Sequence, residues 1–430
     1  MGRARHPRLA FASADRIEAV QTGLLRDQAA YSASQSPFYR RRLGGDDAAL
    51  GELTLETLAG LPFTDKRDLE QGNDDFLAVP RNRVADIVLS SGTTGKPTRI
   101  MYTEGDLQRL AYNEEQAFRG CGLGADDVVL LTCTLDRCFV AGLAYFLGVR
   151  SIGAAAIRNG LNSLESHFNV IRQMRPTAIV GVPSFLRKLA LHIRDGGGDP
   201  AAAGVGKLIC IGEPLRGPGL ELLQLGGDIE RLWAARAFST YASSECVSTF
   251  CECAAQRGGH AAPDLVVAEV VDEQGRRVPD GETGEVVLTP LGAEAMPLIR
   301  FRTGDVSYLM REPCACGRRS VRLGPILGRK QQMIKARGTT LYPQALYSAL
   351  DEIPAVSEYY IEVTSPDRLS DEVTVHAAVR DASCSAAWLE ERLQSRVRVK
   401  PRVAIESEEQ IRAQVFGPKS RKPVRFVDRR

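Results

Sequence analysis

The stretch Ile87 to Thr98 reads IVLSSGTTGKPT, a β-type run followed by hydroxyl residues, glycines and one lysine. That mixture suits phosphate: glycines let backbone N–H groups approach anionic oxygens, hydroxyls add donors, and Lys96 adds charge. It is not a Walker A loop, because two residues separate Gly92 from Gly95-Lys96 and Pro97 stands where that loop has Ser or Thr. Half of the ten cysteines (Cys246, Cys251, Cys253, Cys314 and Cys316) fall in two short clusters. Cys253, His260, Cys314 and Cys316 offer three thiolates and one imidazole, a set typical of structural zinc, with ordinary reduced cysteines as the alternative and Cys251 as a rival to Cys253. Near the C-terminus, Lys419-Ser420-Arg421-Lys422 is a basic run whose ordinary fate is solvation. No convincing Ser-His-Asp or Cys-His arrangement stands out.

These residues need a scaffold. β-branched runs at Ala85 to Leu89, Asp127 to Thr132, Ser151 to Ile157, Ala178 to Val182 and Leu208 to Ile211 alternate with helix-like stretches. The latter are Thr103 to Arg119, Ser163 to Met174 and Ser184 to Arg194. Such alternation predicts an α/β unit with a largely parallel sheet. After about residue 262 the pattern changes to antiparallel runs, Leu265 to Val271 and Gly284 to Leu291, joined through the turn-rich Gly275 to Gly281. From Gln331 a compact α+β unit is expected: helix Pro343 to Glu352, strands Tyr359 to Val363 and Val373 to Val379, helix Ser385 to Val397, then the basic tail.

Composition bounds the function. At about 150 residues per domain, 430 residues give two or three domains. Hydrophobic residues at 44% and charged residues at 25% are those of a soluble globular chain. A net charge of +2 offers no global field for nucleic acid or an anionic bilayer, so any anion site is local. Apolar stretches such as Cys138 to Val149 are too short to span a bilayer. Arg3, Arg5 and Arg8 precede an apolar run shorter than a secretory h-region, and His6 stands where a myristoylation motif wants Ser or Thr. A cytoplasmic location with reduced thiols is the expectation.

In order along the chain, the Ile87 to Thr98 string resembles the phosphate loop of the adenylate-forming superfamily, the acyl-CoA synthetases and adenylation domains. Ile211-Gly212-Glu213-Pro214-Leu215 is similar to its adenine-stacking segment, and Tyr241-Ala242-Ser243-Ser244-Glu245 to its tyrosine-to-glutamate motif. Phe301-Arg302-Thr303-Gly304-Asp305 is similar to its ribose-binding motif, and Gly328-Arg329 with Met333 to Gly338 to its hinge. SPFYRRRL (Ser36 to Leu43), AMPLIR (Ala295 to Arg300), Cys314-Ala315-Cys316-Gly317-Arg318 and RFVDRR (Arg425 to Arg430) resemble the phenylacetate-CoA ligase branch. The resemblance spans essentially the whole chain. It implies a large domain over residues 1–330, with mostly parallel sheets plus a β-rich part, and a small mobile α+β domain over 331–430.

The resemblance also implies roles. Ser91, Thr93, Thr94 and Lys96 would hold the ATP phosphates, and Glu245 would hold Mg²⁺. Tyr241 with Gly212, Glu213 and Pro214 would flank adenine, Asp305 would accept from both ribose hydroxyls, and Arg329 would join the nucleotide site. Arg302 is expected to be catalytic. Lys422 falls where the family places its catalytic lysine, with Lys419 as the fallback, although Arg421 replaces the usual preceding glycine. Gln331 and Gln332 replace the acidic residue common at the hinge. Zinc would bind Cys253, His260, Cys314 and Cys316. The acyl pocket is expected near Asp136 to Phe146, Val182 to Phe185, Gly212 and Tyr241 to Val247, with Tyr145, Phe146 and Phe185 as aromatic candidates.

The implied reaction is in-line attack of a carboxylate on Mg·ATP to give acyl-AMP, then thioester formation with CoA, on an aryl or arylacetic acid. Alternatives are delivery to an acyl carrier protein or an amine, and, in another class, a non-catalytic nucleotide-binding protein. The expected partners are the small carboxylic acid and CoA, with a homodimer as a further candidate and neither nucleic acid nor membrane.

Overall fold

A computed structural model describes residues 5–45, 47–90, 98–336, 339–365, 370–381, 384–397, 399–416 and 424–430. The chain forms two compact units, Met1–Thr303 with Ser307–Ile326, and Gly304–Val306 with Leu327–Arg430. The second unit starts at Leu327 rather than at 331 and takes in Gly304–Val306. Antiparallel pairing of Asp305 with Arg329 and of Val306 with Gly328 draws that strand segment into it.

Four helices open the first unit: α1 (Ala14–Gln35), α2 (Pro37–Leu43), α3 (Asp47–Gly51) and α4 (Lys66–Gln71). The hairpin β1 (Val84–Leu89) and β2 (Arg99–Thr103) follows, with Ser90 N–H donating to the Thr98 carbonyl at its loop end (2.9 Å). The Thr103 hydroxyl accepts from Asp106 N–H, and the Asp106 carboxylate accepts from Thr103 N–H. This capping box turns β2 directly into α5 (Glu104–Gly120).

The α/β alternation then runs β3 (Val128–Leu131), α6 (Val140–Ser151), β4 (Ala155–Arg158), α7 (Leu164–Met174), β5 (Ala178–Gly181), α8 (Pro183–Asp195), β6 (Lys207–Ile211), α9 (Gln224–Trp233) and β7 (Arg236–Ser243). Ser151 to Ile157, expected as one strand, divides: Ser151 ends α6, Gly153 turns at φ +86°, and only residues from Ala155 are extended. Strands lie in the order β4-β3-β5-β6-β7, all parallel. Val129, Leu130 and Leu131 are fully buried, as expected of a strand covered on both faces.

Beyond β7 the sheet continues antiparallel through β8 (Ser248–Glu252), β9 (Gly259–His260) and, later in the chain, β14 (Arg322–Leu323) and β13 (Leu309–Met310). Strands β10 (Val266–Val271) and β11 (Gly284–Pro290) form the expected antiparallel pair. β12 (Phe301–Ser307) and β15 (Gly328–Arg329) complete the strands up to the small unit.

In the second unit β16 (Ile334–Ala336) pairs with β17 (Thr339–Leu341), and α10 (Pro343–Asp351) follows. A sheet ordered β20-β19-β18-β21 is built from β18 (Val356–Thr364), β19 (Glu372–Val379), β20 (Arg402–Ile405) and β21 (Phe426–Asp428). Ile361, Val363 and Val375 pack with Leu389 and Leu393 of α11 (Ala386–Val397) in its core. Helix α12 (Glu408–Val415) places Ile411 and Val415 against Ala378. Among the described residues, no helix is long and apolar enough to cross a membrane.

Candidate active site

In a parallel α/β sheet, loops leaving the carboxyl ends of the strands share one edge, and ligands bind there. Residues 132–139 follow β3, Val182 follows β5 and Gly212 follows β6, while Glu245 lies just past β7. Strand order reverses at β3 and β5, because the chain goes outward to β4 and then returns across β3.

The adenine-type segment is shaped by backbone. Gly212 sits at φ +75°, where glycine escapes the usual Cβ penalty. Glu213 next to it accepts from Ser184 N–H (2.9 Å) and the Ser184 hydroxyl (2.8 Å), fixing the segment to the first turn of α8. Tyr241 is half-buried on β7 opposite Phe250, with ring centroids 6.0 Å apart. Glu245 is also half-buried, and its Oε2 accepts from the Ser243 hydroxyl (3.3 Å).

Ser91, Thr93, Thr94 and Lys96 lie outside the described residues, as do Lys419 and Lys422. The flanks of the hydroxyl-rich loop are described. Leu89 N–H donates to the Cys138 carbonyl (2.9 Å), which ties β1 to the loop after β3. Tyr102 of β2 donates to the Ser244 carbonyl (3.0 Å), beside Glu245. Ser90 Oγ and Thr98 Oγ1 are buried without a partner among the described residues. These two hydroxyls, inside the string but not chosen from sequence as site residues, suit a phosphate-binding loop. Arg137 and Cys138 both have left-handed backbones, φ +61° and +54°, a strain that tends to persist at functional sites.

Asp305 and Arg329 are cross-strand partners in the second unit, with Arg329 Nε 3.3 Å from Asp305 Oδ1. Arg302, expected from sequence to be catalytic, lies near the start of β12. Its guanidinium donates twice to Glu285 Oε2 (2.9 and 2.6 Å) and lies 4.7 Å from the Phe63 ring, so it cross-links strands. The aromatic acyl candidates also have partners. Tyr145 is buried, Phe146 lies under Arg158 (5.1 Å) and Arg150 (5.9 Å), and Phe185 meets His167 edge-on at 5.2 Å.

The cysteine and histidine set converges. Donor atoms of Cys253, His260, Cys314 and Cys316 all lie within 4.8 Å of one another. Cys253 follows β8, which pairs with β9 carrying His260, and β9 pairs with β14 beyond the Cys314 turn. That turn is closed by Gly317 N–H to the Cys314 carbonyl (2.9 Å), with Gly317 at φ +88°. Cys253 and Cys314 sulfurs are 3.6 Å apart, and Cys316 Sγ is 3.5 Å from His260 Nε2. His260 Nδ1 lies 3.2 Å from the Ser320 hydroxyl, so a proton there leaves Nε2 as the free donor atom.

Burial, then the cations of Arg318 and Arg322, push His260 down to about 3, which keeps the ring neutral. Burial pushes the Cys253 thiol up to about 12. At Cys316 burial opposes ionisation but is outweighed by the Arg318 backbone N–H and guanidinium, followed by the neighbouring thiols, so its pKa is lowered. Cys251, the rival ligand, instead accepts from Thr240 Oγ1 (3.3 Å) in the sheet core.

Comparison with known proteins agrees with this geometry. Residues 40–292 match the AMP-binding enzyme family. A phenylacetate-coenzyme A ligase of Thermus thermophilus is 32% identical over 383 residues, covering 87% of this chain and 84% of that protein. One from Pseudomonas putida is 31% identical, covering 87% and 84%. Among solved structures, 2-hydroxyisobutyryl-CoA ligase in its postadenylation state superposes with a TM-score of 0.84 at 23% identity, over 99% of this chain and 92% of that one, which shows the shared fold. The chain belongs to the AMP-binding enzyme family, in the branch of the phenylacetate-coenzyme A ligases.

Proposed function

We propose that this chain is an AMP-forming acid-thiol ligase. A substrate carboxylate oxygen attacks the α-phosphorus of ATP, the bond to the bridging oxygen breaks, and acyl-AMP and pyrophosphate result. The thiol of CoA then attacks the acyl carbon, loses its proton and expels AMP. Positioning and charge stabilisation carry such a phosphoryl transfer.

The observation that supports this most strongly is the convergence on one sheet edge. Gly212 to Pro214, Tyr241 and Glu245 lie there, tied through Tyr102 and Cys138 to the two strands that flank the hydroxyl-rich loop. In this reading Ser91, Thr93, Thr94 and Lys96 hold the β- and γ-phosphates, Tyr241 and the Gly212 to Pro214 backbone flank adenine, and Asp305 accepts from the ribose diol. Glu245 would hold Mg²⁺, a hard cation that prefers oxygen. Lys422 stabilises charge developing at the acyl carboxylate and α-phosphate. Arg302 is read as catalytic, with its guanidinium oriented by Glu285.

The acceptor is CoA and the acid is aryl or arylacetic. The relatives that match over most of the chain are named phenylacetate-coenzyme A ligases, and a more distant one is an indoleacetate-CoA ligase of Aromatoleum aromaticum. Cys253, His260, Cys314 and Cys316 would hold a structural zinc ion, because a closed three-sulfur, one-nitrogen set with an oriented imidazole fits it.

The test supplies ATP, Mg²⁺ and an aryl acid with CoA, an acyl carrier protein or an amine, and follows the products by mass spectrometry. AMP and acyl-CoA in equal amounts are expected. ADP, or transfer to the carrier or amine in preference to CoA, would overturn the assignment.

A further inference from the structure

Helices α5 and α6 approach closely at Gly148, where a Cβ would stand 2.3 Å from Cβ of Glu114. The approach encloses Glu114, which is 1% exposed. Its Oε1 accepts from Asn113 Nδ2 (3.2 Å) and from the Thr249 hydroxyl, whereas Oε2 has no partner among the described residues. Burial disfavours the charged form, and with Oε1 already accepting two hydrogen bonds the proton of the neutral acid is placed on Oε2, a buried donor with no acceptor among the described residues. Burial raises the pKa to about 7, against the lowering effect of the Thr249 and Asn113 hydrogen bonds.

The groups facing it are uncharged. Cys133, just past β3, is pushed up to about 12 by burial, and Tyr145 of α6 and Cys251 of β8 are raised as well, Tyr145 by burial first and Cys251 by the neighbouring Cys121 thiol and then burial.

Leaving a buried donor unsatisfied is unfavourable, because the group has given up its water without gaining a partner. Glu114 stands one helical turn from both Leu110 and Phe118, positions filled by apolar side chains. An apolar residue there would avoid the cost, so the donor calls for a function. Glu114 packs against Gly148 of α6, one turn along that helix from Tyr145, and α6 follows the loop at the carboxyl end of β3, where the ligase reading places the acyl group.

We propose that Glu114 is a specificity-determining residue that donates from Oε2 to the buried end of the acyl substrate, selecting carboxylic acids that carry a hydrogen-bond acceptor, a hydroxyl foremost, far from their carboxylate. The inference rests on the ligase reading. A pocket built to hydrogen-bond a polar group rejects the analogue lacking it, because its own group is left unpaired.

The experiment measures kcat/KM for acid-dependent ATP–pyrophosphate exchange on matched acids, ring-hydroxylated against ring-methylated, for the intact protein, Glu114→Gln and Glu114→Val. The intact protein favours the hydroxylated acid by about tenfold or more. Glu114→Gln keeps a donor and an acceptor and keeps the preference, and Glu114→Val loses it while retaining the methylated acid. From about pH 6 to about pH 8 the preference falls in the intact protein, as Oε2 loses its proton, and stays flat in Glu114→Gln. An intact protein with no preference, a preference unchanged in Glu114→Val, or pH profiles identical for the intact protein and Glu114→Gln, would overturn the proposal. Should Glu114→Val not fold, the Glu114→Gln profile decides. Exchange that ignores Glu114 defeats this inference alone; no exchange with any acid defeats the ligase reading and the inference together.

Discussion

Arg329 reaches across the β12–β15 pair to Asp305, its Nε 3.3 Å from Oδ1. The arginine side chain is 45% exposed and the aspartate 14%, so the pair contributes little to stability and mainly holds the carboxylate in place. A carboxylate so held is an acceptor for a vicinal diol. Asp305→Asn should therefore weaken ATP binding by about tenfold, the effect of about 1.4 kcal/mol, with little change in melting temperature. Calorimetric titration with ATP checks this, and unchanged affinity would remove Asp305 from the nucleotide site.

Metal removal should loosen a specific part of the first unit. The Arg319 and Ser320 N–H groups donate to the Ala10 carbonyl (2.6 and 3.3 Å), and the Arg318 guanidinium lies 4.8 Å from the Phe11 ring. The cysteine turn thus grips the segment before α1. Purified protein should contain one zinc per chain. Chelation should lower the melting temperature by on the order of 10 °C and open the chain to protease near Phe11. Absence of stoichiometric metal, or chelation without either effect, contradicts the zinc assignment.

How much of this was legible before the structure depends on the kind of signal. The parallel strands were, because β-branched runs alternating with helical segments have few other solutions, and the choice of the four cysteine and histidine residues was, because the two short clusters resemble a set used in the phenylacetate-CoA ligase branch. Their convergence was not, since it depends on β9 lying between β8 and β14. The pairing of Arg302 with Glu285 was not legible either, because Glu285 sits on a neighbouring strand outside the motif. Ser151 read as strand because β-branched residues bracket it, whereas α6 runs on to Ser151 itself. Glu114 was missed because Asn113-Glu114-Glu115-Gln116 looks solvent-facing; its spacing of four from Leu110 and Phe118 was the available clue.

The buried Glu114 acid also sets a pH dependence of stability. Its folded pKa of about 7 lies above the ordinary carboxylate value of 4.5. The folded state therefore holds a proton that the unfolded state has released between these values, and stability is lost as pH rises through that window. The slope is about 1.4 kcal/mol per pH unit. Because Gln does not titrate, the stability of Glu114→Gln relative to the intact protein should rise by about 2–3 kcal/mol between pH 5 and pH 7 and then level off. Urea unfolding at several pH values measures it, and a constant difference would mean that Glu114 is not held neutral.

Lys422→Ala should separate the two half-reactions. A cation that stabilises charge at the α-phosphate acts only while adenylate forms. Adenylate formation should fall by about a hundredfold or more, whereas thioester formation from supplied acyl-AMP should change only a few-fold. Equal losses in both would refute the role, and the same selective loss in Lys419→Ala instead would transfer it to that residue.

The most direct test of the ligase reading is ATP–pyrophosphate exchange without CoA, run over a broad panel of carboxylic acids with aryl and arylacetic members. The account predicts exchange that requires both Mg²⁺ and a carboxylic acid and is fastest with an aromatic one. ATP binding without exchange for any acid on the panel would contradict it and leave a nucleotide-binding protein that does not activate acids.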